Sequence, residues 1–153
     1  MVPKFELKKL TYNRGYPRYK VWLRQSGFDI QAAELSIQNG FYEWACFQSE
    51  QCVEKALKSV LVHGGFRPPK IHKISILISL CNNTNPDFAK TKFQFRDIES
   101  FTFISRYPFL IPGENMAPHD YITYEDAKLC LNEAKQFFQQ IQTLLKDSTI
   151  LLD

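Results

Sequence analysis

Apolar residues recur at three- and four-residue steps along most of the chain, and successive runs are cut by clear stops. In the first run Trp22, Phe28, Ala32 and Leu35 share a face, which predicts a helix over about Lys20 to Gln38. The Asn39-Gly40 pair that follows suits a left-handed cap. A second helix, about Tyr42 to His63, carries Ala45, Cys52, Val53, Ala56, Leu57 and Val60 as its stripe. Gly64-Gly65 and then Pro68-Pro69 forbid its continuation.

A short third helix over about Ile71 to Cys81 brings Ile74, Leu77, Ile78 and Cys81 together. The run from Ile74 to Ile78 is β-branched enough to pass for a strand, but no second strand is at hand, and a lone strand leaves its backbone groups without partners. A fourth helix is predicted from about Pro86 or Asp87 to Ser105, through Phe95, Ile98, Phe101 and Ile104, with Pro108 closing it. The last is the clearest: Ala127, Cys130, Leu131, Ala134, Phe137, Phe138, Ile141, Leu144 and Leu145 keep the helical period, with Thr123 as N-cap and Asp126 three residues on.

Five helices and no convincing strand predict an all-α fold, an antiparallel up-and-down bundle of four long helices plus one short helix. Residues 20–147 form the bundle, behind a basic, aromatic-rich leader at 1–19 and ahead of a tail at 148–153. A chain of 153 residues makes one domain with enough core to need no metal or disulfide staple.

Charge changes the picture only in the leader, where Lys4, Lys8, Lys9, Arg14, Arg18 and Lys20 meet Glu6 alone. Phe5, Tyr12, Tyr16 and Tyr19 interleave with those cations, a composition able to stack on bases while neutralising phosphates. The plainer expectation is a solvated leader whose aromatics tuck against the bundle.

No apolar run follows Met1 or approaches the ~18 residues of a membrane span, so neither a signal peptide nor a membrane segment is expected. The four cysteines, Cys46, Cys52, Cys81 and Cys130, contain no Cys-x-x-Cys pair and read as buried thiols in a cytoplasmic protein. His63, His72 and His119 lack partners at zinc-like spacing, so neither a metal nor a cofactor is expected.

The candidate chemistry centres on Ser105-Arg106-Tyr107-Pro108. An arginine there has two readings: a phosphate ligand, or a cation that satisfies the exposed carbonyls of a helix end. Tyr107 is a packed aromatic or a base-stacking one. On the second helix Gln51, Lys55 and Lys58 share an edge, and Glu54 and Lys58 make an i,i+4 pair. That edge is a solvated face or a set of phosphate contacts.

The order and spacing of four segments resemble the HEPN domain family, the higher eukaryotes and prokaryotes nucleotide-binding domain. Trp22-Leu23-Arg24-Gln25 with Asp29 and Ala32-Ala33 resembles its opening helix. Tyr42-Glu43-Trp44-Ala45-Cys46-Phe47-Gln48, leading to Gln51-Cys52-Val53-Glu54-Lys55-Ala56-Leu57-Lys58, resembles its second. His72-Lys73-Ile74 is similar to its His-x-Leu lead into a short helix, and Arg106-Tyr107-Pro108 with the Ala-bearing last helix completes a match over about residues 20 to 146. The resemblance implies a bundle that dimerises through an apolar face, with polar residues of two helices lining a groove suited to nucleotide or RNA phosphates. It also implies a small nucleotidyltransferase as partner, in some relatives as a toxin and antitoxin pair.

A large branch of that family consists of metal-independent ribonucleases with a His four to six residues after an Arg. Here Arg106 is followed by Tyr107, Pro108, Phe109, Leu110, Ile111 and Pro112, and His119 comes 13 positions after it. A missing proton carrier costs roughly 10²- to 10⁴-fold in general acid–base catalysis. The expectation is therefore a dimeric, non-catalytic module with Arg106, Tyr107, Gln51, Lys55 and Lys58 as nucleotide or RNA contacts. The alternatives are a divergent ribonuclease toxin pairing Arg106 with His119 or His72, and a purely structural dimerisation module. His72 otherwise reads as a helix-start residue bonded to backbone, and His119 as a loop residue in solvent.

Overall fold

The computed structural model describes residues 5–10, 18–113 and 115–146. Lys4, Tyr12, Arg14 and Tyr16 of the leader, and the tail at 148–153, lie outside the described residues.

The fold is all-α and is organised around α2 (Tyr42–His63). Along it pack α1 (Tyr19–Gln38) and α7 (Tyr124–Leu145). Small residues at the crossings, among them Ala33, Ala45, Ala56 and Ala134, are fully buried and let the three helices approach closely. Ser26 of α1 donates to the Cys52 carbonyl at 2.7 Å, so the buried hydroxyl is satisfied and ties α1 to α2. Larger side chains, including Leu57, Leu61, Phe137, Phe138 and Ile141, fill the remaining core.

The three long helices start and stop within a residue or so of the sequence expectation because their signals are local. Asn39 and Gly40, the latter at φ +80°, close α1, with the Phe41 N–H donating to the Ser36 carbonyl. Thr123 and Asp126 form a reciprocal capping box at the start of α7. All four cysteines are buried and free.

α3 (Ile74–Thr84) begins three residues later than expected, because Lys73 is still extended at ψ 115°. The fourth predicted helix is in fact two. α4 (Pro86–Thr91) starts where Asn85 accepts the N–H groups of Asp87 and Phe88, and it stops at Lys92, which takes a left-handed conformation at φ 48°. Phe93 and Phe95 then turn edge-on to Phe137 of α7, with centroids 4.6 and 5.0 Å away. α5 (Ile98–Ile104) restarts the chain under a cap from α7: the Glu133 carboxylate accepts the N–H groups of Arg96, Asp97 and Ile98 at 2.8 to 3.2 Å. Burial of two aromatics and a carboxylate cap outweigh continued helix.

The proline-rich loop is also partly helical, with a 3-10 turn at Pro108–Leu110 and a single-turn α6 (Pro118–Tyr121). Of the leader, Lys8 and Leu10 exchange backbone bonds with Arg67 and Gly65 at the exit of α2, and Leu7 packs against the core.

Candidate functional site

Arg106 follows the last turn of α5, where its N–H donates to the Phe103 carbonyl. Tyr107 is extended (φ −127°, ψ 113°), as a residue before proline must be, and it directs the chain away from the helix axis. The Arg106 Nε donates to the Thr102 carbonyl at 3.0 Å, which satisfies one open end of α5. Its guanidinium lies 4.7 Å over the Phe47 ring of α2 and within 6 Å of the Phe103 and Tyr107 rings. The arginine is thus a strut by its Nε and a stacked cation by its plane. Among the described residues no carboxylate pairs with it, and its other guanidinium N–H groups have no hydrogen-bond partner.

Below it, α2 carries Glu43, Glu50 and Glu54, spaced seven and four residues apart and so on one face, and all three are buried. Each is handled differently. Glu43 bonds Nδ1 of His119, from α6, at 3.0 Å. Glu54 takes Lys58 at 2.7 Å, Nδ1 of His72 at 3.1 Å and the Gln51 amide at 3.3 Å. Glu50 has only the Gln51 amide, at 3.0 Å on Oε2, and no cation within ion-pair reach among the described residues. Burial pushes the Glu50 carboxyl up to about 7; the Gln51 bond opposes this, the Glu54 charge adds to it, and Arg106 and His72 offset part of it.

Phe47, Glu50 and Gln51 of α2, His72 to Ser75 at the start of α3, and Glu99, Thr102, Phe103 and Arg106 of α5 and its exit enclose an open cavity of about 530 Å³. That is the size of a small-ligand site. Part of the lining is apolar and aromatic, and the rest includes a guanidinium with unpaired N–H groups and a desolvated carboxyl.

Of the residues expected at a nucleotide or RNA site, Arg106 and Gln51 line this cavity. Tyr107 stands beside Arg106 with its ring partly exposed, next to Phe109. Lys55 and Lys58 are not in the lining. Lys55 is bound at 2.6 Å to Asp29 of α1, and Lys58 is buried against Glu54 and the Trp22 ring, so the edge expected to meet solvent or phosphate is partly interior. His72 and His119, expected on backbone and in solvent, are each held by a buried α2 glutamate, and only His72 lines the cavity. Glu50 and Phe47 went unmarked in the sequence. The signal for Glu50 was its helical spacing from Glu43 and Glu54, which puts the three glutamates on one face of α2.

Among the described residues no cluster of three or more His, Cys, Asp or Glu is placed to hold a metal ion, and no helix is long and apolar enough to cross a membrane. A family model for the HEPN domain matches residues 19–144. The chain belongs to the HEPN domain family. It is 27% identical over 138 residues to MJ1304 of Methanocaldococcus jannaschii, a protein provisionally named a toxin, with 84% of this chain and 88% of that one covered. Among solved structures, ST0689, an archaeal HEPN homologue, is 26% identical with a TM-score of 0.60, covering 85% of this chain and 99% of its own. TT1696 from Thermus thermophilus, 22% identical, shares the fold with a TM-score of 0.67 over 84% of this chain and 98% of its own. In this HEPN chain the cavity's arginine and histidine come from different elements, Arg106 from the exit of α5 and His72 from the segment ahead of α3.

Proposed function

We propose that this HEPN chain is a binding module that takes a phosphate of a nucleotide or RNA in the cavity lined by Arg106. The observation that carries the reading is the guanidinium itself: oriented by Thr102, stacked on Phe47, and left without a carboxylate partner among the described residues. An arginine fixed in this way has its hydrogen-bonding edge organised before the anion arrives, which reduces the ordering cost of binding. Similarity to MJ1304 supports placing the module in a toxin–antitoxin setting; a second copy of the chain and a small nucleotidyltransferase are the protein partners we propose for it, on the family resemblance of the sequence alone. Exposed Phe103 and Phe109 beside the cavity supply apolar surface for such contacts.

ATP and a short RNA, titrated at low and high salt against the native chain and Arg106→Ala, test the reading. Binding at low salt that weakens as salt rises and falls about tenfold or more in the variant is expected. Absence of binding at low salt removes it.

Ribonuclease activity is a second reading with one specific observation behind it. His72 is oriented through Nδ1 by buried Glu54 in the cavity that holds Arg106, which leaves Nε2 for proton transfer. RNA cleavage in chelator that disappears in both Arg106→Ala and His72→Ala would make the chain an enzyme.

A further inference from the structure

The polar groups of the cavity are unequally committed. Gln51 is engaged at both ends, donating to Glu50 and Glu54 and accepting from Lys55. Glu54 is neutralised by Lys58, and His72 is tied to Glu54. Lys73 and Glu99 sit on the exposed rim. Glu50 stands apart: it is 1% exposed, it lines the cavity, and its Oε1 has no hydrogen-bond partner among the described residues. A carboxyl oxygen with no hydrogen-bond partner, facing a cavity where an arginine waits for an anion, opposes that anion if the carboxyl is charged. It no longer does so if the group carries a proton.

We propose that Glu50 is itself a ligand of the bound phosphate in its un-ionised form, its O–H donating to a phosphoryl oxygen that Arg106 also holds. The proposal rests on the phosphate reading above and deepens it. An acid O–H is a donor, and a bond from it to an anionic oxygen belongs to the strong, charge-assisted class. Ionised, the same group repels the ligand across a medium that screens poorly. The proton lies close at hand, because burial already holds the carboxyl near neutrality, and an arriving anion pushes it further toward the protonated form. Binding therefore takes up a proton.

The charged and titratable groups around Glu50 come from three places. α2 contributes Glu54, backed by Lys58; the start of α3 contributes His72 and Lys73; α5 and its exit contribute Glu99 and Arg106. His72 is the imidazole in the wall and lies among the groups that act on Glu50, so it is the control.

The test uses the full chain at low salt and a short oligoadenylate with hydroxyl ends, whose phosphodiesters do not titrate in the range used. Calorimetry in two buffers of different ionisation enthalpy is expected to read close to one proton taken up per site at about pH 8, with affinity falling by up to about tenfold per pH unit above about pH 7. Glu50→Gln keeps a donor without the charge, and should bind at pH 8 about as tightly as the native chain does at pH 6, with the proton uptake gone. Glu50→Leu removes the repulsion without supplying a donor and should bind about tenfold or more weaker than Glu50→Gln. His72→Gln should retain the pH dependence. Equal affinities for the Gln and Leu variants, a pH dependence that survives in Glu50→Gln, or one that vanishes in His72→Gln would each overturn the proposal while phosphate binding stands. No binding of the oligomer by the native chain at any pH would remove the phosphate reading as well.

Discussion

Nζ of Lys58 lies 2.7 Å from Oε1 of Glu54, one helical turn away on α2, and both side chains are almost wholly shielded from water. The pair is the hub of a polar layer that also takes in Gln51 and His72. Removing one member of a buried ion pair strands the other, which typically costs about 3–5 kcal/mol, whereas replacing both with uncharged groups of similar size is near neutral. Lys58→Met is therefore expected to lower unfolding stability by about 3 kcal/mol or more, and Lys58→Met with Glu54→Gln to recover most of that loss. Urea unfolding of the two variants and the native chain checks the difference.

Glu133 of α7 is a helix cap delivered from another element, since its carboxylate accepts three successive N–H groups at the start of α5. Glu133→Ala leaves those donors to water and should cost about 1–2 kcal/mol, with Glu133→Gln losing less. Faster amide hydrogen exchange at residues 96 to 98, relative to the rest of α5, is the local readout. Unchanged exchange there would mean that the aromatic contacts of Phe93 and Phe95 alone set the break.

These two relationships show where sequence reading stops. The ends of α1 and the start of α7 were legible because Gly40 and the Thr123-Asp126 pair act within a few residues. The break after Thr91 was not, because Lys92 carries no turn signature and the cap of α5 comes from position 133. Arg106 was legible as a helix-end cation beside Pro108, but its stacking partner Phe47 lies on α2. Helical period places Glu43, Glu50 and Glu54 on one face; it cannot say that α3, α5 and α6 cover that face and turn three ordinary glutamates into buried ones. The bonds of His72 and His119 to those glutamates span 18 and 76 residues, beyond any local pattern.

Glu50 gives stability a pH dependence of unusual sign. Its carboxyl is held at about 7 in the folded chain against 4.5 for the ordinary group, so between those values the folded state binds a proton that the unfolded state has lost. Stability from this group is therefore highest below about pH 4.5, declines as pH rises toward 7, and is flat above, a loss on the order of 3 kcal/mol. Glu50→Gln should abolish the decline and be more stable than the native chain at pH 8. Chemical unfolding at pH 5, 6, 7 and 8 measures it; parallel curves for the two chains would show that Glu50 is ionised throughout.

Phe47 and Thr102 hold Arg106 by geometry that charge alone does not supply. A lysine at 106 keeps the positive charge, but it lacks the Nε–H that meets the Thr102 carbonyl and the planar face that covers Phe47. Arg106→Lys is expected to lose about 1 kcal/mol of stability, as one hydrogen bond and one stacked contact disappear. Its affinity for a short RNA should fall about tenfold, close to Arg106→Ala, because a mobile ammonium no longer presents an ordered pair of donors. Phe47→Leu separates the two supports: the guanidinium and its Thr102 bond remain, the stacking surface goes, and affinity should drop about three- to fivefold. If Arg106→Lys binds as well as the native chain at low salt, simple charge neutralisation is enough and the orientation set by Thr102 and Phe47 serves only the fold.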